Sequence, residues 1–120
     1  MPVRLVILAL ALLLAGCGSA GAPVKTDATT VAIVLDDYTI RPQQLRVPAG
    51  KRLTFVVRNQ GRLGHTFRIR GRRANVLALT TIRPGTSATK SAKLGKGTYT
   101  MYCVLANHEE LGMYGTLVVR

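Results

Sequence analysis

The stretch Tyr-Cys-Val-Leu-Ala-Asn-His-Glu-Glu-Leu-Gly-Met-Tyr-Gly, residues 102–115, gathers side chains that are rare in this chain. It holds one of two cysteines, one of two histidines and one of three methionines. A thiol at Cys103, an imidazole at His108 and a thioether at Met113 are all donors for a soft or borderline metal ion. Taken singly, each has a plainer explanation. A buried cysteine is commonly a small hydrophobe, and a methionine after glycine commonly fills a core gap. The other histidine, His65, could equally be a hydrogen-bonded core residue.

The other cysteine bears on this choice. Residues 1–16 carry Arg4 and an apolar run, Leu5 to Leu14, that is too short to span a bilayer, and read as an export signal. Leu14-Ala15-Gly16-Cys17 resembles a bacterial lipobox, which implies cleavage before Cys17 and lipid on its sulfur. The mature protein is then expected on the outer face of a bacterial membrane, either the cell membrane or its periplasmic side. Lipidation of Cys17 would leave Cys103 without an intrachain disulfide partner, and an unpaired thiol in an oxidising compartment needs burial or a bound group. Residues 17–30 are small and polar, a tether whose flexible reach would be about 20 Å.

The elements that must position the donors read as strands over residues 31–120. Val31, Ile33 and Leu35 alternate with smaller or outward residues, as do Leu53, Phe55 and Val57. His65, Phe67 and Ile69 share one strand face, and Tyr99, Met101 and Cys103 share another. Both donors therefore head inward, and could converge across two sheets. Turn signals at Pro48-Ala49-Gly50, Asn59-Gln60-Gly61, Pro84-Gly85 and Gly95-Lys96-Gly97 divide seven or eight short strands. The expected fold is all-β, a Greek-key sandwich or barrel, with no long amphipathic helix.

The spacing Cys-x4-His-x4-Met, with a distant upstream histidine, resembles the type 1 (blue) copper site of the cupredoxins. Gly97 to Cys103 is similar to the strand that delivers the cysteine in plastocyanin-like members. Gly112 to Val118 is similar to their methionine turn and last strand, with a loop spacing of the auracyanin and rusticyanin type. Val47-Pro48-Ala49-Gly50 and Asn59 to Phe67 extend the resemblance over about residues 31–120. It implies one copper held by His65, Cys103, His108 and Met113. It also implies a carrier of single electrons between a donor and an acceptor protein. Copper capture or delivery without redox turnover is the alternative. A Cys-His-His zinc site would not call for the methionine.

The chain departs from the family pattern in two places. Thr66 stands where Asn or Ser often ties the two ligand segments together. Ala106-Asn107 replaces a proline near the second histidine, and Asn107 is a further candidate neighbour of the site. Phe67, Leu105 and Leu111 are expected to limit water at the metal. The resemblance offers Tyr102, beside Cys103, as one route for electrons, where a plain surface tyrosine on a strand is the equal alternative, and it favours the loop imidazole of His108 as the port.

An enzyme fits poorly, because multicopper oxidases and copper nitrite reductases need many more histidines than two. Seventeen Lys and Arg against five Asp and Glu give a net charge of +12. An export signal and the lack of a recognition motif argue against nucleic acid. Arg58, Arg62, Arg68, Arg70, Arg72 and Arg73 crowd into sixteen residues, with Glu109-Glu110 directly after His108. They suggest either a solvated basic face or steering toward an acidic redox partner or anionic lipid. Asp36-Asp37 before Tyr38 reads as a turn. A monomer is expected.

Overall fold

Alternation of apolar and polar residues is the main organiser of this chain. In the computed structural model, which describes residues 21–120, it produces ten strands and no helix. They are β1 (Val24–Lys25), β2 (Thr30–Asp36), β3 (Thr39–Arg41), β4 (Gln44–Val47), β5 (Arg52–Asn59), β6 (His65–Arg70), β7 (Asn75–Ile82), β8 (Ser87–Lys93), β9 (Gly97–Tyr102) and β10 (Tyr114–Val119). Six form one sheet in the order β1-β4-β10-β9-β6-β7, and four form the other in the order β3-β2-β5-β8. The all-β sandwich read from the sequence is the fold observed.

The two sheets bury the residues that alternation assigns to the inside. Val31, Ile33 and Leu35 of β2 and Leu53, Phe55 and Val57 of β5 face Phe67, Ile69, Met101 and Leu117 of the larger sheet. Phe55 and Phe67 bridge the layers, with ring centroids 6.1 Å apart. Such a tilted aromatic pair adds about 0.5–1.5 kcal/mol beyond its area burial.

Three strands carry no readable apolar pattern. β8 (Ser-Ala-Thr-Lys-Ser-Ala-Lys) packs only Ala88 and Ala92 against the core. It is an edge strand, and its lysines discourage pairing with another chain. β1 and β3 are two and three residues long. β1 pairs in parallel with β4, Val24 opposite Leu45, so ordered structure reaches into the segment read as a tether. The signal segment and Cys17 lie outside the described residues.

Candidate metal centre

His65 opens β6, and Cys103 is the first residue beyond β9. These strands are antiparallel neighbours, with Arg68 opposite Tyr102 and Ile69 opposite Met101. Continuing that register sets Thr66 beside Val104, where the Thr66 Oγ1 accepts the Val104 N–H at 2.9 Å. The two donors therefore come from one sheet, not from two facing sheets as their inward alternation suggested. Strand adjacency brings them together, a feature that side-chain alternation alone does not encode.

The segment from Val104 to Met113 then folds back on itself. The His108 N–H reaches the Leu105 carbonyl at 3.0 Å, and the Met113 N–H reaches the His108 carbonyl at 2.9 Å. The Cys103 N–H closes the loop on the Met113 carbonyl at 3.2 Å. Ala106 makes the turn at φ 43°, a left-handed conformation that costs a non-glycine residue about 1–2 kcal/mol. The backbones of Cys103, His108 and Met113 are thus tied into one unit.

The side chains of His65, Cys103 and His108 meet beside it. His65 Nδ1 lies 3.2 Å from His108 Nδ1, and Cys103 Sγ lies 3.6 Å from His108 Nδ1. All three donor atoms fall within 4.8 Å of one another. Metal–imidazole and metal–thiolate bonds of about 2.0–2.3 Å, set trigonally, separate donors by roughly 3.6 Å. The cluster therefore has the right size for one ion. His65, Cys103 and Met113 are fully buried, whereas His108 keeps 9% exposure and alone of the four reaches solvent. Cys103 is the free cysteine among the described residues. Two imidazoles and a thiol, with a buried methionine whose backbone is hydrogen-bonded to both Cys103 and His108, are the donor set of copper rather than of zinc.

Thr66 supports the sulfur twice. Its backbone N–H lies 3.4 Å and its hydroxyl 3.6 Å from Cys103 Sγ. It thereby links the two ligand segments with a hydroxyl and an amide in place of the usual Asn or Ser side chain. Asn107 does not join the site through its side chain; it is exposed, and its carbonyl accepts the Leu111 N–H at 3.0 Å. Leu111 also departs from expectation. At 52% exposure it cannot shield the ion, while Phe67 is fully buried and Leu105 packs against the core.

Tyr102 lies on the outer side of its sheet, yet only 7% of it is exposed. The Arg70 guanidinium covers its ring at 4.3 Å, and its hydroxyl donates to Asn75 Oδ1 at 2.7 Å. Arg70 also grips Glu109 with both terminal nitrogens, and that carboxylate raises the guanidinium pKa above its ordinary value. One arginine therefore joins the residue before Cys103 to the residue after His108. Of the clustered arginines, Arg58, Arg62, Arg72 and Arg73 are exposed, while Arg68 and Arg70 are partly covered.

Two further groups near the histidines are invisible to motif reading. Asp37 Oδ1 accepts the remote His65 Nε2–H at 3.0 Å, and Tyr38 meets the His108 ring edge-on with centroids 5.2 Å apart. Both occupy the tip of the β2–β3 hairpin, in the opposite sheet. That tip reads as a plain turn, and only tertiary packing gives it a role. Asn59 fixes the neighbouring loop, donating to the Leu63 and Ile82 carbonyls at 2.8 Å each and accepting the Gly61 N–H at 2.9 Å.

The family model described as "Cupredoxin-like domain" matches residues 4–119. The chain belongs to the cupredoxin-like family. Its cofactor is accordingly one copper ion, in agreement with the donor set. No curated protein matches the sequence. Among solved structures, dithionite-reduced auracyanin from Roseiflexus castenholzii is similar at 20% identity and a TM-score of 0.72, covering 79% of this chain and 99% of that one. Rusticyanin from Thiobacillus ferrooxidans is similar at 18% identity and a TM-score of 0.70, covering 86% of this chain and 85% of that one. At such identities these structures establish the cupredoxin fold.

Proposed function

We propose that this protein is a membrane-tethered carrier of single electrons, with copper held by His65, Cys103, His108 and Met113. The observation that carries this reading is the convergence of His65, His108 and Cys103, with the cluster buried apart from His108. When bound, copper would take one electron from a donor protein as Cu(II) becomes Cu(I) and would give it to an acceptor on returning to Cu(II). The chain's own residues keep that exchange cheap. Two adjacent strands and a hydrogen-bonded loop hold the donors in place, so little rearrangement accompanies a change in charge. Thr66 spreads the charge of the sulfur over two hydrogen bonds. Burial of His65, Cys103 and Met113 excludes water, and the edge of His108 gives a short route to the surface.

A carrier rather than an enzyme is supported by the count of histidines. Both belong to this cluster, so none remains to build a second metal centre. The exposed arginines support docking to an acidic redox partner, steered at long range and screened by salt. The segment Leu14-Ala15-Gly16-Cys17 supports export and a lipid anchor on the outer face of a bacterial membrane. The distinguishing experiment is repeated chemical reduction and reoxidation of the copper-loaded protein against a chelator. A carrier retains its copper in both states and gives a reversible one-electron titration. Copper released on reduction identifies a delivery protein instead.

A further inference from the structure

Only five carboxylates occur in this strongly basic chain, and one of them is spent on a buried histidine. Asp37 comes from the β2–β3 tip of the smaller sheet, whereas His65 opens β6 of the larger one. Its Oδ1 also accepts the N–H groups of Arg62 at 3.0 Å and Leu63 at 3.1 Å. The carboxylate is thus fixed by the loop that leads into the ligand strand. Gly61 makes this possible. A Cβ there would collide with Asp37 Oδ1 and stand 3.0 Å from His65 Nε2, so the pair occupies the space a side chain would fill.

We propose that Asp37 is a positioning residue for the copper ligand His65, holding it as the Nε2–H tautomer and biasing the site toward Cu(II). The proposal rests on the copper reading above. Hydrogen bonding at Nε2 leaves Nδ1 as the lone pair, and Nδ1 is the atom aimed at His108 and Cys103. A carboxylate partner makes the imidazole a stronger donor, and the extra electron density favours the more highly charged ion. The opposite sheet therefore sets both the direction and the basicity of a ligand carried by the first.

Three variants test this: Asp37→Asn, Gly61→Ala, and Glu110→Gln as a nearby exposed carboxylate without a histidine contact. Asparagine keeps the size and one oxygen for the loop N–H groups but removes the charge. Alanine at position 61 keeps the charge but displaces it. Losing such a partner commonly costs a metal site 10–100-fold in affinity. Asp37→Asn and Gly61→Ala are each expected to lower the Cu(II) affinity about tenfold relative to Cu(I), equivalent to a rise in potential of about 59 mV for one electron. Glu110→Gln is expected to shift it far less. In the metal-free protein, nitrogen-15 NMR is expected to find His65 as the Nε2–H tautomer in the wild type and a mixture in both variants.

Potentials of Asp37→Asn and Gly61→Ala equal to that of Glu110→Gln would overturn the proposal, as would an unchanged tautomer in both. The metal-free NMR result does not depend on copper. A wild type that binds no copper but shows the Nε2–H tautomer, lost in both variants, would therefore refute the copper reading while leaving the positioning of His65 intact.

Discussion

Replacing Thr66 by valine removes a hydroxyl and leaves the shape almost unchanged, which isolates its hydrogen bonds. Thr66 is 3% exposed; its Oγ1 accepts from the Val104 amide at 2.9 Å and approaches Cys103 Sγ at 3.6 Å. Valine leaves that half-buried amide without a partner, a penalty of about 1–3 kcal/mol. The added methyl offsets up to about 0.8 kcal/mol of this by apolar burial. The expected net loss in the metal-free protein is about 1–2 kcal/mol. With a urea m-value of about 1–2 kcal/mol/M for a small domain, the midpoint falls by roughly 1 M. Thr66→Ser keeps the hydroxyl and provides the comparison. The copper-loaded valine variant is also expected to have a lower potential, because one fewer hydrogen bond to the sulfur favours Cu(II). Urea denaturation read by circular dichroism measures the first effect. A valine variant as stable as the serine variant would refute the role given to the hydroxyl.

The Asp37 carboxyl is held below its usual value of 3.8, chiefly by the Leu63 N–H, with His65 and the Arg62 N–H adding to it. A lowered carboxyl stabilises the fold above its unfolded pKa and loses that contribution as pH falls through its folded one. The wild type is therefore expected to lose stability more steeply than Asp37→Asn below about pH 4 in acid denaturation of the metal-free protein. Arg70→Met breaks the grip on Glu109 and uncovers Tyr102. Because both ionic partners are about a third or more exposed, the global loss is expected to stay near 1 kcal/mol or below. Faster amide exchange in residues 104–113, at nearly unchanged global stability, is the expected result.

The donors themselves are legible in the sequence because they are rare, closely spaced and preceded by a strand with clear alternation. Cys103, His108 and Met113 lie within eleven residues, and one loop must hold all three. Pairing between strands is less legible. Alternation tells which way His65 and Cys103 point, but not that β6 and β9 are neighbours. β8 has only alanines as inward residues, so its burial signal is too weak to read. The supports of the site are hidden for another reason. Asp37 and Tyr38 are twenty-eight and seventy residues from the histidines they touch, and a two-residue hairpin turn carries no sign of its target. Arg70 looks like one arginine among six until the fold lays it over Tyr102 and against Glu109.

The most direct test of the copper centre is the visible absorption spectrum of the oxidised, copper-loaded protein. An intense Cys103 thiolate-to-Cu(II) charge-transfer band is predicted, at one copper per chain, bleaching on reduction and returning on reoxidation. A copper-loaded, oxidised sample with Cys103 chemically intact and no such band would contradict the account.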